Sequence, residues 1–242
     1  MMETILNIKN LYKHYEGIVA VDEVNISILS GTITGIYGNN GAGKTTLFNL
    51  LSGFEKPDNG SIFFEGKNIT KKSVIYRSRH GMGRLFQIPR IFADVTVLDN
   101  LLAAGNNHEA KYLHNYLMKH STISKNKIKD NEKAKNILQQ FHLTDKAGLK
   151  AYELSVGEKR LLSLGSLLMN DAKLLLLDEP FAGINEIAAQ QIKHILTSLK
   201  NIGTTFLMIE HDKEKLFELA DRVYEMKQGK LLNTTNTHHA NH

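Results

Sequence analysis

Hydrophobic residues follow two different periods along the chain. Short apolar runs predict strands buried on both faces, as in a parallel sheet, at 32–37, 174–177 and 204–209. Apolar residues at helical spacing predict amphipathic helices at 96–104, 161–168 and 190–199. This succession of strands and helices predicts an α/β fold with a mostly parallel sheet.

A second β pattern lies nearer the N-terminus. Residues 5–9 and 24–29 alternate apolar and polar side chains, which is typical of half-buried strands. The turn-forming sequence Lys-Pro-Asp-Asn-Gly at 56–60 precedes a predicted strand at 61–64, and a further turn is predicted at 65–68. Together these strands predict an antiparallel β subdomain beside the parallel sheet.

The stretch 105–135 interrupts the α/β pattern. It is rich in Asn, His and Lys, and its few apolar positions predict a helix, a polar loop and a second helix that ends near Phe141. Because His108, His114 and His120 recur every six residues, a helix would spread them around its axis. We therefore predict a helical insertion without a histidine metal site.

A length of 242 residues suffices for one large α/β domain with a sizeable insertion. We expect a single domain at 1–232, a helical subdomain at about 90–165 within it, and a polar C-terminal tail at 233–242. The sequence contains no low-complexity tract or internal repeat, and its composition is typical of folded proteins.

Charge and composition limit the expected surroundings of the protein. The formal net charge is +5, but many of the lysines are scattered between 111 and 135, so a solvated basic face is favoured over a nucleic-acid site. Such a face also suits work beside an anionic membrane leaflet. There is no cysteine, no apolar run of membrane-spanning length and no signal-peptide pattern. We therefore expect a cytoplasmic protein.

A phosphate-binding motif follows the predicted strand at 32–37. The pattern G-x-x-x-x-G-K-[ST] is matched here between a strand and a helix, which is the context that the motif requires. Backbone N–H groups and the helix dipole favour an anion at such a turn. The residues predicted to bind the nucleotide are Gly38, Asn39, Asn40, Gly41, Ala42, Gly43, Lys44, Thr45 and Thr46.

Two residues of this motif carry specific chemistry. We expect Lys44 to place its charge at the β- and γ-phosphates and the Thr45 hydroxyl to ligate Mg2+. We also expect Lys44 to be exposed and to contribute little to the core. A glycine-rich turn that binds nothing is the alternative interpretation.

Acidic and other polar residues end two of the buried strands. Asp178 and Glu179 follow the strand at 174–177, where an acid can hold Mg2+ through water while its neighbour polarises an attacking water. The alternative, a helix N-cap, explains only one of the two acids. His211 follows the strand at 204–209 and is a candidate donor to a γ-phosphate, although an ordinary loop histidine fits as well.

Three further positions are ambiguous from the residues alone. Ser155 with Glu158 predicts a capping box at a helix N-terminus, and the Ser-x-Gly turn that includes Gly157 is also a possible anion site. Tyr15 offers a ring face on which adenine can stack, but a tyrosine near a strand end often serves only packing. Gln87 by itself is a loop residue after a short predicted strand.

Taken in order, these motifs resemble the ATP-binding subunits of ABC transporters. The resemblance extends from about residue 5 to residue 232, and its most specific part is Leu-Ser-Val-Gly-Glu at 154–158, which resembles the signature that other P-loop proteins lack. It implies a P-loop NTPase core, ATP and Mg2+ as ligands, and a homodimer or heterodimer of ATPase subunits. It also implies transmembrane permease subunits, a location on the inner face of the membrane, and in some systems a periplasmic solute-binding protein.

The resemblance also implies roles for the ambiguous residues. Tyr15 would stack on adenine, Gln87 would touch Mg2+ and the attacking water, and His211 would lie near the γ-phosphate. Glu179 would act as general base and Asp178 as a partner of Mg2+. In this family, two ATP molecules lie between the phosphate loop of one subunit and the signature of the other, where Ser155 and Gly157 would be the hydrogen-bond donors.

Two positions depart from the family pattern. Val156 occupies a signature position that is often glycine, which puts the local turn geometry in doubt. Asn185 stands where many members carry Asp, which puts communication between subunits in doubt.

Finer resemblances concern the transported substrate. The segments 84–87, 96–101, 182–185 and 209–212 resemble the branched-chain amino acid uptake subfamily and its urea-uptake relatives, whereas 179–183 also resembles the lipopolysaccharide-export ATPase. Two other classes stay open: a soluble ABC ATPase acting on nucleic acid or ribosomes, which usually joins two cassettes in one chain, and a nucleotide-binding regulator without turnover.

Overall fold

The computed structural model describes residues 3–105 and 125–234. In these ranges the strands are β1 Thr4–Tyr15, β2 Ile18–Leu29, β3 Ile33–Tyr37, β4 Asn59–Phe64, β5 Lys67–Asn68, β6 Met82–Leu85, β7 Leu174–Asp178, β8 Thr205–Glu210, β9 Arg222–Lys227 and β10 Lys230–Thr234. The α-helices are α1 Lys44–Ser52, α2 Val74–Arg79, α3 Val97–Ala104, α4 Lys125–Gln140, α5 Val156–Leu168, α6 Glu186–Asn201 and α7 Lys213–Leu219. The first helix predicted within 105–135 lies outside the described residues, and so do His108, His114 and His120.

A six-stranded, mostly parallel sheet has the order β10-β9-β3-β8-β7-β6. Its pairs are parallel except for β9 with β10. All five residues of β7 and all six of β8 are buried, as expected for central strands covered on both faces. The predicted α/β class with a parallel core is confirmed.

The second sheet is antiparallel and has the order β2-β1-β4-β5. Its two long strands, of twelve residues each, are longer than the predicted segments because the pairing continues through bulges: β1 extends beyond both ends of its segment, and β2 begins earlier but ends at Leu29 as predicted. The turn predicted at 65–68 is shorter in the structure, since Lys67 and Asn68 already pair with β4. One hydrophobic cluster packs this sheet, α1 and the parallel strands together.

The described residues form two compact units. The first contains the chain up to Gln87, together with Lys173–Ala182 and the described chain from Leu196 onward. The second contains the described parts of Ile88–Ala172 and Gly183–Ile195. Both sheets and α1 belong to the first unit, whereas α3, α4 and α5 belong to the second.

Capping explains where two helices of the second unit begin. Thr96 accepts a hydrogen bond from the backbone N–H of Asp99 at the start of α3. Ser155 and Glu158 form the predicted capping box at the start of α5. Both predicted N-caps are therefore confirmed.

Sequence patterns missed several elements of the first unit. Helix α2 has six residues, too few for a clear apolar period, and α7, β9 and β10 follow the last predicted strand without a strong pattern. Strand β10 ends at Thr234, so its last two residues fall in the segment predicted as a polar tail.

Arg77 of α2 stabilises the end of α1. Its side chain is almost completely buried, and it donates hydrogen bonds to the carbonyls of Leu50 and Leu51, which lie in the last turn of α1. It also donates to the carbonyls of Ile69, Thr70 and Lys72. Burial lowers the pKa of the Arg77 guanidinium to about 10, so it stays charged near neutral pH.

We predict that Arg77→Met lowers the free energy of unfolding by about 3 kcal/mol or more, because several buried carbonyls lose their donor. Urea denaturation followed by circular dichroism measures the change. Arg79→Met, in the same helix but exposed, is the matched control and should change the unfolding free energy by less than about 0.5 kcal/mol. Equal effects of the two substitutions would contradict the role assigned to Arg77.

Candidate functional site

The parallel strands bring the candidate residues to one edge of the sheet. Strands β3, β6, β7 and β8 run parallel, so their carboxyl ends meet at the same edge. The phosphate-binding motif follows β3, Gln87 follows β6, Asp178 ends β7 and His211 follows β8. All of these residues belong to the first compact unit.

The loop at 38–43 fits tightly against neighbouring backbone. A Cβ atom at Gly43 would lie 2.0 Å from the carbonyl oxygen of Ala20, and the φ of Gly43 is 104°, in the left-handed region. A Cβ at Gly38 would lie 2.2 Å from the carbonyl oxygen of Met226. Both motif glycines are therefore required by packing, and Gly43 also by backbone conformation.

Lys44 begins α1 and folds back over the loop. Its Nζ donates to the carbonyl oxygens of Gly38 at 2.6 Å and Asn39 at 3.0 Å. Only 6% of the residue is exposed, so the expectation of an exposed lysine was wrong. Burial lowers its pKa, while the charges of Glu179 and Asp178 oppose this shift.

The start of α1 suits a polyphosphate. Gly43 is the N-cap, no side chain caps the helix, and its first turn holds no acidic residue. The helix dipole and the N–H groups of this turn are therefore not countered by a carboxylate of the helix itself. Buried Lys44 and exposed Thr45 add a cation and a hydroxyl, so the donor set fits phosphate with a hydrated metal.

Three candidate side chains meet directly around one carboxylate. Gln87 donates through Nε2 to Oε2 of Glu179 at 2.8 Å, and Nε2 of His211 lies 2.7 Å from Oε1 of Glu179. Glu179 adopts a left-handed φ of 50°, which is uncommon for this residue type, and its N–H donates to the carbonyl of Ile209. Residues 92 positions apart in the chain thus form one cluster around a single carboxylate.

Asp178 has a partner that the sequence analysis missed. Arg84 of β6 donates through Nη2 to Oδ2 of Asp178 at 2.8 Å. Strands β6 and β7 are adjacent, with Arg84 opposite Leu176 in the register. A lone arginine within an otherwise apolar strand was the available signal, but the sequence did not reveal the adjacent strand.

Tyr15 is the last residue of β1. Its hydroxyl donates to the carboxylate of Glu55, and Nζ of Lys13 lies 5.2 Å from the centre of its ring. The residue is 39% exposed, so the anchored ring keeps accessible surface. The structure places Tyr15 in the same unit as the phosphate loop.

Ser155 and Gly157 lie in the second compact unit. Ser155 is the N-cap of α5, and its Oγ also donates to the Glu158 carboxylate. Burial would raise the pKa of Glu158, but hydrogen bonds from Lys146 and Ser155 outweigh it and lower the pKa. A Cβ at Gly157 would lie 2.7 Å from Cβ of Ala188, so this position has no room for a larger residue.

The structure shows the local environment of the two residues that depart from the family pattern. Val156 is 54% exposed at the first position of α5, where its side chain leaves the capping box intact. Asn185 accepts through Oδ1 a hydrogen bond from the N–H of Ala188, the bond of an N-cap residue at the start of α6. Asparagine therefore supports the local turn by the same bond that aspartate forms.

Residues 3–105 and 125–234 contain no group of three or more His, Asp or Glu side chains arranged to hold a metal ion. Within the same ranges, no helix is long and apolar enough to cross a bilayer.

Comparison with known proteins connects this geometry to a family. The family model described as ABC transporter matches residues 21–182. The chain is 38% identical to the "Probable branched-chain amino acid transport ATP-binding protein LivG" of Archaeoglobus fulgidus, over 94% of this chain and 88% of that protein. It is 31% identical to the "Lipopolysaccharide export system ATP-binding protein LptB" of Acidithiobacillus ferridurans, over 96% and 90%.

A solved structure gives the same result for the fold. The ADP conformation of an ATP-binding cassette from an ABC transporter superposes with a TM-score of 0.82 at 37% identity, covering 95% of this chain and 90% of that one. The resemblance and the P-loop NTPase fold inferred from the sequence are thereby confirmed. The chain belongs to the ABC transporter family and is an ATP-binding, ATP-hydrolysing subunit of that family.

Proposed function

We propose that the chain is the motor subunit of an ABC transporter that takes up branched-chain amino acids or a similar small polar solute. The proposed catalytic role rests on the cluster of Gln87, Glu179 and His211. This cluster lies at the same edge of the sheet as the phosphate loop. Two ATPase subunits would act together with transmembrane permease subunits on the cytoplasmic face of the membrane. A periplasmic solute-binding protein would supply the solute.

The loop at 38–46 binds the phosphates in this proposal. The glycine-rich turn places N–H groups at the start of α1, and the dipole of that helix favours negative charge. Lys44 exchanges its bonds to the Gly38 and Asn39 carbonyls for bonds to the β- and γ-phosphates. That exchange is favourable because phosphate oxygens carry more charge than carbonyl oxygens.

Glu179 serves as the general base that accepts a proton from the attacking water. Gln87 and His211 each engage one of its oxygens, so the carboxylate is held from both sides. After proton transfer, His211 is placed to donate toward the γ-phosphate, and Gln87 to hold the water.

Mg2+ is the expected metal, because hydroxyl, amide and carboxylate oxygens are the ligands it prefers. Thr45, Gln87 and Asp178 would hold it, with Asp178 acting through a bound water. The metal would neutralise charge on the β- and γ-phosphate oxygens. Two protein cations, Lys44 and Arg84, already lie near the Asp178 carboxylate.

The complete site requires a second subunit in this proposal. Ser155 and Gly157 of one copy would donate to the γ-phosphate bound by the loop of the other, while Tyr15 stacks on adenine. The N-terminus of the 13-residue helix α5 carries partial positive charge from the helix dipole, so its placement beside a phosphate is electrostatically favourable. Loss of the γ-phosphate removes these contacts, so hydrolysis reopens the dimer and moves the permease.

The substrate assignment rests on similarity alone. The relative from Archaeoglobus fulgidus is named for branched-chain amino acid transport and has the higher identity, whereas the relative from Acidithiobacillus ferridurans is named for lipopolysaccharide export. We therefore favour amino acid uptake and keep lipid export as the second candidate. A soluble ABC ATPase that acts on nucleic acid is a third class, to be separated by the partner experiment below.

Lys44→Ala should weaken ATP binding at least about tenfold, because the phosphates lose a charge-assisted partner. Isothermal titration with a non-hydrolysable ATP analogue measures this change. The fold should lose less than about 2 kcal/mol, since removal of two hydrogen bonds is offset by removal of a buried charge. Unchanged nucleotide affinity would contradict the assignment of the phosphate loop.

Glu179→Gln should reduce kcat for ATP hydrolysis by about 100-fold or more, since the amide cannot accept the proton from water. Binding of ATP should persist, and size-exclusion chromatography with ATP and Mg2+ should show a trapped dimer. Glu186→Gln, an exposed carboxylate at the start of α6, is the control and should retain wild-type kcat. Wild-type turnover in the Glu179→Gln variant would refute the role of this residue.

Purification from native membranes under mild detergent should recover permease subunits with the affinity-tagged chain. Reconstituted complexes should hydrolyse ATP faster when a solute-binding protein loaded with a branched-chain amino acid is added. Stimulation by a lipopolysaccharide substrate instead would favour the second candidate. Stimulation by RNA or DNA in the absence of any membrane partner would contradict a transport function.

A further inference from the structure

Arg84 is a buried charge to which the proposed catalytic steps assign no role. It lies on β6, one strand away from the carboxylate that it contacts on β7. The Arg84 and Asp178 side chains are 7% and 11% exposed, so the ion pair is largely removed from water. Separating such a pair would leave an uncompensated buried charge, which is strongly destabilising. The two side chains are therefore held together in the folded protein.

The same guanidinium also binds α1. Its Nη1 donates to Oδ1 of Asn49 at 2.7 Å and to Oγ of Ser52 at 3.0 Å. The orientation of the Asn49 amide is fixed in turn, because Nδ2 donates to Oε1 of Glu55 at 2.7 Å. Arg84 therefore connects the carboxyl end of β7 to the helix whose first turn contains Lys44 and Thr45.

Aromatic rings enclose the guanidinium. Its central carbon lies 4.8 Å from the ring centre of Phe86, 5.7 Å from that of Phe48 and 5.9 Å from that of Phe54. In the described part of the chain, the buried Nε has no hydrogen-bond partner. The surroundings thus favour a flat, weakly hydrated cation with a forked set of donors, which arginine provides and lysine does not.

We propose that Arg84 is a positioning residue for Mg2+ binding, which fixes the Asp178 carboxylate relative to Thr45 on α1. This inference rests on the proposed roles of Asp178 and Thr45 as metal partners. Arg84 engages Oδ2 of Asp178, which leaves Oδ1 available to the water shell of the metal. Groups that orient metal partners in this way typically change metal affinity by about 10- to 100-fold when removed.

The test uses Arg84→Met, which keeps an unbranched chain among the phenylalanines but cannot donate, and Arg84→Lys, which keeps the charge but loses the fork. Arg222→Met, an exposed arginine on β9, is the matched control. Affinity of the full chain for a non-hydrolysable ATP analogue is measured in EDTA and over a series of Mg2+ concentrations. Circular dichroism establishes that each variant is folded.

The expected result separates metal binding from nucleotide binding. In Arg84→Met, the Mg2+ concentration needed for half of the metal-dependent gain in affinity should rise about tenfold, while affinity in EDTA changes less than about twofold. Arg84→Lys should show a smaller rise, and it decides the question if Arg84→Met does not fold. In an Asp178→Asn background, Arg84→Met should add less than about twofold, because both substitutions interrupt the same interaction.

Three outcomes would overturn the proposal. They are an unchanged Mg2+ dependence in both folded variants, an equal loss of affinity with and without Mg2+, and a full additional effect of Arg84→Met in the Asp178→Asn background. In each case the wild-type chain still binds nucleotide with Mg2+, so only the role of Arg84 fails. If the wild-type chain shows no Mg2+-dependent binding, the proposed function of the site fails as well.

Discussion

The structure of the site depends on the parallel alignment of four strands. Strands β3, β6, β7 and β8 each end at the same edge, and each is followed there by a polar residue or loop with a candidate role. The interiors of β7 and β8 are mostly apolar and fully buried, so the hydrophobic effect fixes these central strands while the polar residues remain at the edge. A shift of one residue in the register would reverse the faces of a strand and separate these groups.

The polar residues at this edge form two separate groups of contacts. Gln87 and His211 hold the Glu179 carboxylate, whereas Arg84 holds Asp178 and connects it to α1. The two adjacent acids therefore have different partners. Glu179 contacts the exposed residues Gln87 and His211, whereas Asp178 contacts Arg84, whose guanidinium lies over an aromatic ring. Different environments for neighbouring carboxylates are consistent with the separate roles proposed for them, a base and a metal partner.

Sequence patterns predicted the central elements better than the peripheral ones. The strands at 174–178 and 205–210 and the helices capped by Thr96 and Ser155 have strong local signals, because their apolar period and capping residues are encoded within a few positions. Helix α2 and strands β9 and β10 lack such signals and depend on contacts with distant residues. Burial of Lys44 was missed for the same reason, since the carbonyls and backbone that cover it are placed by the folded loop.

The sequence by itself was sufficient to indicate the family of this protein. The spacing of Gly38, Gly43, Lys44 and Thr45 matches the pattern of a phosphate loop, and the segment at 154–158 resembles the signature of the ABC family. Only the tertiary structure decided which groups act on one another: that Glu179 lies between Gln87 and His211, and that Asp178 pairs with Arg84. Spacing along the chain encodes a turn or a helix face, whereas contacts between residues about 90 positions apart exist only after the strands have paired.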